Sequence, residues 1–245
     1  TVQVSAGSYC GGGSGGVVGG KIDNVTVTNL IAVTANAENG IAGGFMGSNN
    51  ASGLVSTGGL NLLGLNIVTV SELLNAVNYL LTDCTNCYVS FTGNAAPQVT
   101  AASAGGFVGE MYGGSVNNSD MTDNRGAVRN LSNVQGTYYA GGFAGKICSG
   151  NLADAGGGIE LAGLKVDVTG LTDVLQGYVP KVTSAGVSSA ETGLKVQALK
   201  QKMREDNTTV ADKDSGAAGG YAGLVRGAQI SYSDVNALAT RGSFK

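Results

Sequence analysis

The stretch AGGFVG at Ala104–Gly109 recurs along the chain and indicates its fold. Further copies read AGGFMG, AGGFAG and AGGYAG, and a degenerate copy, GGVVGG, lies at Gly15–Gly20. The shared pattern is a small residue, two glycines, an aromatic residue, a small residue and a glycine. Such self-similarity is typical of stacked repeats, because one short unit cannot bury its apolar face until neighbouring copies cover it. The further aromatic copies occupy Ala42–Gly47, Ala140–Gly145 and Ala218–Gly223.

Each position of this signature has a predicted structural role. The two glycines allow either a close approach of two backbones or a positive φ at a corner. The aromatic residue is expected to point inward and to stack along the repeat axis, and the last glycine is expected to let the next unit approach. The predicted aromatic stack contains Phe45, Phe107, Phe143 and Tyr221, and the last glycines are Gly47, Gly109, Gly145 and Gly223.

Strand-like segments follow three of the signatures and alternate apolar with polar residues, as half-buried strands do. Two other segments, YVSFT and LKVQAL, also have the composition of strands. The first three segments are Gly19–Val27, Gly113–Met121 and Gly227–Val235, and the other two are Tyr88–Thr92 and Leu194–Leu199.

The signatures divide a single repeat region, residues 1–245, into units of alternating length. The short units are 1–41, 104–139 and 218–245, and the long units are 42–103 and 140–217. Each long unit contains one segment whose apolar residues recur at three- and four-residue spacing, which predicts a short helix. The first is Leu73–Leu81, with Ser71 as its N-cap, and the second is Leu171–Tyr178, ended by Pro180.

The composition favours a folded chain over a disordered one, and it argues against nucleic-acid binding and against a membrane-spanning helix. Glycine supplies 42 of 245 residues, yet 42% of the residues are hydrophobic, which is enough apolar surface to form a core. The net charge is −3 and no run of Lys or Arg forms a surface for nucleic acid. No apolar stretch reaches the roughly 18 residues that a membrane-spanning helix needs.

Catalytic and cofactor chemistry finds little support in the sequence. The chain has no histidine, which excludes a Ser-His-Asp triad, a Cys-His pair and an imidazole metal ligand. Its acidic residues are scattered, and the one Asp-x-Asp lies at 212–214. We therefore expect no enzyme and no cofactor. Four tyrosines are candidates either for a sugar-binding platform or for closing the ends of the stacked units: Tyr112, Tyr138, Tyr139 and Tyr232.

Calcium is the one metal for which the sequence offers candidate ligands. Asp120, Asp123 and Asn124 place oxygen atoms in one turn, as hard cations prefer. Their spacing matches no EF-hand loop, so this site is a weak candidate.

The four cysteines suggest one local pair. Cys84-Thr-Asn-Cys87 is a C-x-x-C motif, which can form a disulfide, a redox site or half of a zinc site. A zinc ribbon needs a second such motif, so a loop disulfide between Cys84 and Cys87 is the favoured interpretation. Cys10 and Cys148 lie three units apart, so we expect them to be free or to pair between molecules.

The AGGFVG, AGGFAG and AGGYAG signatures resemble the repeats of large cell-surface proteins of Gram-positive bacteria. They are also similar to the short glycine-leucine-rich motif of bacterial adhesins. The resemblance extends from about Gly15 to Val235, and it departs from the pattern at Gly15–Gly20, which lacks the aromatic residue. It implies a mainly β fold, a right-handed parallel β-solenoid with short helical insertions, in an extracellular protein attached to the cell wall or cell surface.

The function expected from these observations is structural or adhesive. The chain would act as a stiff stalk or as a scaffold that displays a ligand, binding a surface protein or a glycan of the host or of bacteria. The first alternative is a self-assembling extracellular filament subunit, because the ends of stacked β repeats are open sheet edges. The second alternative is a carbohydrate-active β-helix enzyme that uses paired carboxylates.

Overall fold

The computed structural model describes residues 1–50, 81–93, 97–119, 126–149, 160–161, 164–165, 179–199 and 216–236. This part of the chain is mainly β and contains no helix. Its strands in chain order are β1 (Val2–Ala6), β2 (Tyr9–Gly11), β3 (Ser14–Val17), β4 (Gly20–Asp23), β5 (Thr26–Ala35), β6 (Ile41–Gly43), β7 (Met46–Asn50), β8 (Thr82–Thr85), β9 (Tyr88–Phe91), β10 (Val99–Gly105), β11 (Val108–Tyr112), β12 (Ser115–Asn117), β13 (Val128–Leu131), β14 (Asn133–Gly141), β15 (Ala144–Cys148), β16 (Glu160–Leu161), β17 (Leu164–Lys165), β18 (Lys181–Thr183), β19 (Val187–Ser189), β20 (Lys195–Ala198), β21 (Ala217–Gly219), β22 (Ala222–Arg226), β23 (Gln229–Ser231) and β24 (Val235–Asn236).

Three parallel sheets contain nearly all of these strands. The second sheet has the order β22-β15-β11-β7-β3, and the third has the order β23-β18-β12-β8-β4. The first sheet holds the remaining strands apart from β16 and β17, which form a small antiparallel pair. Within the described residues the chain passes through the three sheets in the same order five times, and the described part of each passage is called a tier below. The five tiers are the described residues within 2–30, 32–91, 99–131, 133–189 and 195–236.

The aromatic residues of the signature form one stack through the second to fifth tiers. The ring centroids of Phe45 and Phe107 are 4.8 Å apart, those of Phe107 and Phe143 are 5.2 Å apart, and those of Phe143 and Tyr221 are 5.0 Å apart. The backbone forms a ladder at the same position, in which the Phe107 N–H donates to the Phe143 carbonyl at 2.8 Å. Neighbouring strands of a sheet lie about 4.8 Å apart, so the backbone register sets the separation of the rings.

The glycines of the signature are required because neighbouring backbones approach too closely for a side chain. A Cβ atom on Gly106 would overlap the carbonyl oxygen of Gly142 and lie 2.7 Å from Leu131 Cδ2. None of the glycines in the four aromatic copies has a φ in the left-handed region, so close approach, and not positive φ, explains the pair. The last glycine behaves in the same way, since a Cβ atom on Gly109 would lie 2.6 Å from the Gly47 carbonyl oxygen.

Columns of small and β-branched side chains fill the rest of the interior. Parallel pairing places Val33, Val99 and Val134 one above the other, and all three are fully buried. A similar column in the third sheet contains Cys84, Val116 and Val182 between the half-buried Ile22 and the more exposed Ile230. Because identical positions repeat in each tier, apolar area is buried between tiers, where no single tier could bury it alone.

The first copy of the signature lies five residues earlier than the sequence predicted. Cys10 pairs with Ala42 and Gly11 with Gly43, so the copy in the first tier is Cys10–Gly15, and the assignment to Gly15–Gly20 is wrong. The aromatic position of this copy is Gly13, whose N–H donates to the Phe45 carbonyl at 2.8 Å. The first tier therefore keeps the glycine backbone of the signature but contributes no ring to the stack.

The strand predictions are confirmed, although two of the predicted segments turn a corner, at Asn24 and at Tyr232, and continue into β5 and β24. The three segments that follow the signatures form β4, β12 and β23, which belong to one sheet at matching register. The segments YVSFT and LKVQAL form β9 and β20, both in the first sheet. The two predicted helices, Leu73–Leu81 and Leu171–Tyr178, lie outside the described residues apart from Leu81.

Candidate interaction surfaces

The Cys84 and Cys87 thiols are both free and completely buried, so the predicted disulfide is not formed in the structure. Cys84 occupies the apolar column of the third sheet, where burial raises its pKa well above the ordinary value for a thiol. Cys87 follows the corner at Asn86 (φ 52°), and its Sγ donates to the Thr85 carbonyl at 3.2 Å. The Cys87 sulfur is thus engaged by the backbone of its own corner.

Asn118 holds this corner in place, a role that the sequence did not reveal. Its Oδ1 accepts a hydrogen bond from the Cys87 N–H at 3.0 Å, and its Nδ2 donates to the Cys87 carbonyl at 2.8 Å. The Asn118 side chain is 4% exposed and lies in the third tier, while Cys87 lies in the second. One amide therefore satisfies both backbone groups of a buried residue in the neighbouring tier.

Cys10 and Cys148 are also free and buried, and they lie on different sheets. Cys10 pairs with Ala42 at the start of the signature, while Cys148 pairs with Tyr112 and Arg226 at the end of the second-sheet strands. Burial raises the pKa of both thiols.

The calcium candidates Asp120, Asp123 and Asn124 lie outside the described residues. Within the described ranges, no group of three or more His, Cys, Asp or Glu side chains is arranged to hold a metal ion. Those ranges also contain no helix that is long and apolar enough to cross a bilayer.

Three of the four candidate tyrosines are half-buried against the body of the protein. The Tyr112 hydroxyl donates to Glu110 Oε2 at 2.8 Å and accepts a hydrogen bond from Lys146 Nζ at 2.5 Å. Lys146 Nζ also lies 5.0 Å from the Tyr112 ring centroid and 5.6 Å from that of Tyr139. Burial and the neighbouring Glu110 carboxylate raise the pKa of Tyr112. Tyr112 lies at the end of β11, and both its hydroxyl group and its ring are engaged in contacts within the protein. Tyr232, in contrast, is 89% exposed.

A polar cleft of about 420 Å³ runs along the first sheet and crosses all five tiers. At its centre the guanidinium carbon of Arg129 lies 3.6 Å from the centroid of the Tyr88 ring, a cation–π contact that fixes the arginine. Asp234 supplies a carboxylate at the fifth-tier end. The other lining residues offer hydroxyl, amide and backbone groups: Thr28, Ser90, Asn130, Gly186, Val187, Ser188 and Asn236.

This cleft could not be found from the sequence, because its residues come from five separate segments. Tyr88 and Arg129 meet only because β9 and β13 are paired in parallel, with Ser90 opposite Arg129. A surface with one fixed cation, one carboxylate and several hydroxyl and amide groups suits a ligand that is rich in hydrogen-bonding groups, such as a glycan or an extended peptide.

No family model, curated protein or solved structure matches this chain.

The two end tiers form a second candidate surface. Every large apolar side chain that is exposed in the described residues belongs to the first tier or the fifth, and none belongs to the three between. Those in the first tier are Val2, Tyr9, Val18 and Val25, and those in the fifth are Leu199, Val225, Ile230, Tyr232 and Val235.

Proposed function

We propose that this chain is a structural and adhesive repeat region of a secreted bacterial cell-surface protein. In this proposal its tiers form a right-handed parallel β-solenoid that serves as a stiff stalk and displays a ligand-binding surface. The right-handed winding is supported by a general rule, since crossover connections between parallel strands are right-handed in about 98% of cases. The resemblance of the AGGFxG signatures to surface-protein repeats supports the location.

The observation that carries the proposal is the continuous contact between tiers at the signature. Rings, glycines and backbone hydrogen bonds repeat at the same position from Phe45 to Tyr221. If one tier bent or slid against the next, the stacked rings would separate and the ladder of hydrogen bonds would break at the same time. Such an arrangement favours stiffness along the stack, which is a mechanical property and needs no catalytic group.

The polar cleft supports the adhesive part of the proposal. Arg129 is fixed on the Tyr88 ring, so a ligand that binds it does not have to order a mobile side chain. Since the cleft crosses five tiers, it suits an extended ligand that lies along the stack, and we propose a surface glycan or a surface protein segment as its class.

A mechanical measurement tests the stalk. The chain is placed between two reference domains and stretched in single-molecule force spectroscopy, alongside Phe107→Ala and the matched exposed variant Tyr232→Ala. We expect a cooperative unfolding event at high force that Phe107→Ala weakens and Tyr232→Ala leaves unchanged. Extension without a resolvable force peak would contradict a role as a stiff stalk.

A binding array tests the adhesive role. The chain is applied to arrays of host and bacterial glycans and surface proteins, and each bound ligand is measured again with Arg129→Gln and with the exposed control Lys181→Gln. We expect Arg129→Gln alone to weaken binding. Binding that is unaffected by Arg129→Gln would place the ligand elsewhere. Turnover of a glycan that is lost on replacing one carboxylate would instead establish the carbohydrate-active alternative.

The alternative of a self-assembling filament subunit is favoured by the exposed apolar side chains of the end tiers. The five described tiers span four intervals of about 4.8 Å, or roughly 19 Å. A longer stack needs further tiers, which other copies of the chain would supply in a filament.

A further inference from the structure

The fifth tier exposes the same apolar columns that are buried in the tier beneath it. Val225 is 47% exposed, while Ile147, its partner in the fourth tier, is fully buried. Ile230 is 37% exposed and is paired with the fully buried Val182. Among the described residues no further tier lies over the fifth, whose outer side therefore resembles an interior surface.

The first tier presents the opposite surface of the same columns. Val17 and Ile22 are half-buried, and the second tier is the one described tier that pairs with them. The column of Val17 runs through Asn49, Met111 and Ile147 to Val225, so its two ends are both valines. The column of Ile22 likewise ends at Ile230, so both columns have an apolar residue at each end.

The backbone edges are complementary as well. β3 and β22 are the two edges of the second sheet, and β4 and β23 are the two edges of the third. All pairings in these two sheets are parallel, so a second molecule in the same orientation can continue each ladder from β22 to β3 and from β23 to β4.

Charges in the third sheet do not oppose this contact. At the register found between tiers, Gln229 of one molecule would face Lys21 of the next, and Ser231 would face Asp23. No pair of like charges is brought together at these positions of the third sheet. An unpaired strand edge with such a surface is a template for association with another chain.

The aromatic column distinguishes this joint from the contacts within the molecule. Tyr221 ends the stack in the fifth tier, and Gly13 occupies the aromatic position of the first. A second molecule would therefore place a glycine, and not a ring, over Tyr221. The joint lacks one ring contact that every internal contact from the second tier to the fifth possesses, so we expect it to be reversible.

We infer that this chain associates head to tail with a second copy of itself, the outer side of the fifth tier pairing with the outer side of the first. The inference rests on the parallel stack of the proposed function and adds its partner and its polarity. It accounts for the confinement of the exposed apolar side chains to the two end tiers.

Two charge variants at the ends of one column test the polarity. Val225→Lys blocks the fifth-tier end, and Val17→Lys blocks the first-tier end. Sedimentation velocity is measured for the whole chain over a range of concentrations, with electron microscopy of the largest species. We expect the wild type to form chains of increasing length, while each variant alone requires an about 100-fold higher concentration, because a buried charge without a partner opposes the joint.

The mixture of the two variants gives the decisive result. Val225→Lys retains an intact first tier and Val17→Lys an intact fifth tier, so together they can form one joint and no more. We expect a dimer in the mixture that neither variant forms alone. Dimers of a single variant would show a head-to-head or tail-to-tail contact and overturn the inference, as would a wild type that remains monomeric throughout.

A matched control separates this inference from the stack on which it rests. Gln135→Lys adds the same charge on β14 in the fourth tier, away from both ends, and is expected to associate as the wild type does. Circular dichroism and thermal unfolding of every variant report whether the stack itself is intact. A folded, monomeric wild type would overturn head-to-tail association alone, whereas loss of the β spectrum would count against the stacked fold.

Discussion

The ring centroids of Phe45 and Phe107 lie 4.8 Å apart, and the two ring planes differ by only 4°. Aromatic pairs at this distance with parallel planes are offset-stacked, an arrangement worth about 0.5–1.5 kcal/mol beyond the area that it buries. The ladder explains why the rings are parallel, since the Phe45 N–H donates to the Phe107 carbonyl at 2.9 Å. Ring stacking and strand pairing at this position therefore stabilise the same register.

Phe107→Ala tests the contribution of this stack to stability. Phe107 is fully buried between two rings, so its removal leaves a cavity and should lower the free energy of unfolding by about 3–5 kcal/mol. Chemical denaturation measures the change. Tyr232→Ala is the matched control, because a side chain that is 89% exposed should contribute no more than about 0.5 kcal/mol. Equal effects of the two substitutions would contradict the stacked core.

Gly106→Ala tests the close approach of the tiers. The added Cβ would overlap the Gly142 carbonyl oxygen, so the two tiers must separate and the protein should be strongly destabilised. Gly16→Ala is the control, since a Cβ there meets nothing within 4 Å and its φ is ordinary. We expect the control to be neutral or to stabilise the fold by about 0.4–1 kcal/mol through the unfolded state. Thermal unfolding of both variants decides the comparison.

The sequence predicted the repeated signature and the strands that follow it, but it misplaced the first copy for a physical reason. An aromatic residue between glycines marks the other four copies, whereas the first tier has Gly13 at that position. The stretch from Cys10 to Gly20 contains several glycine pairs, and backbone pairing with Ala42 and Gly43 selects one of them. Register in a sheet depends on the neighbouring strand, so a local pattern does not determine it.

Contacts between tiers could not be predicted from the sequence for the same reason. The pairing of Tyr88 with Arg129 and of Asn118 with Cys87 joins residues from different tiers. Neither pair has a fixed spacing, because the segments between signatures differ in length. The C-x-x-C motif, in contrast, was visible as a local pattern, yet the interpretation as a disulfide did not anticipate that Cys87 Sγ bonds to a carbonyl of its own corner.

Gly13→Phe should extend the aromatic stack by one ring. A Cβ at this position would lie 3.4 Å from Val27 Cγ2 and 3.1 Å from the Phe45 carbonyl oxygen, so small shifts accommodate it. We expect the free energy of unfolding to rise by about 0.5–1.5 kcal/mol from the added ring pair. Gly13→Ala adds the Cβ without the ring and should not show this gain. A Phe variant that is no more stable than the Ala variant would contradict the prediction.

Stability should fall at alkaline pH because buried thiols must stay protonated. Burial raises the pKa of Cys84 above its ordinary value of 9.0, and the neighbouring Cys87 and Asp83 act in the same direction. The unfolded chain loses the proton first, so the stabilisation is complete below about pH 9 and decreases as the pH rises, by about 1.4 kcal/mol per pH unit for one thiol.

Cys84→Val provides the comparison for this pH dependence. Valine matches Val116 and Val182 in the same column, so the variant should fold and should lose less stability between about pH 8 and about pH 10. Denaturation under reducing conditions at the two pH values measures the difference. An identical pH dependence in the wild type and the variant would show that Cys84 does not contribute to it.

Asn118→Ala should weaken the corner of the second tier without disturbing the rest of the stack. The substitution leaves the buried N–H and carbonyl of Cys87 without their partner, at a cost of about 1–3 kcal/mol for each group. Asn117→Ala is the neighbouring control, because the Asn117 Oδ1 accepts a hydrogen bond from the exposed backbone N–H of Ser119 and not from a buried one. We expect the Cys87 amide to exchange its hydrogen faster in Asn118→Ala than in Asn117→Ala, while the amides of Phe107 and Phe143 remain protected. Unchanged exchange at Cys87 would mean that Asn118 does not hold the two tiers together at this corner.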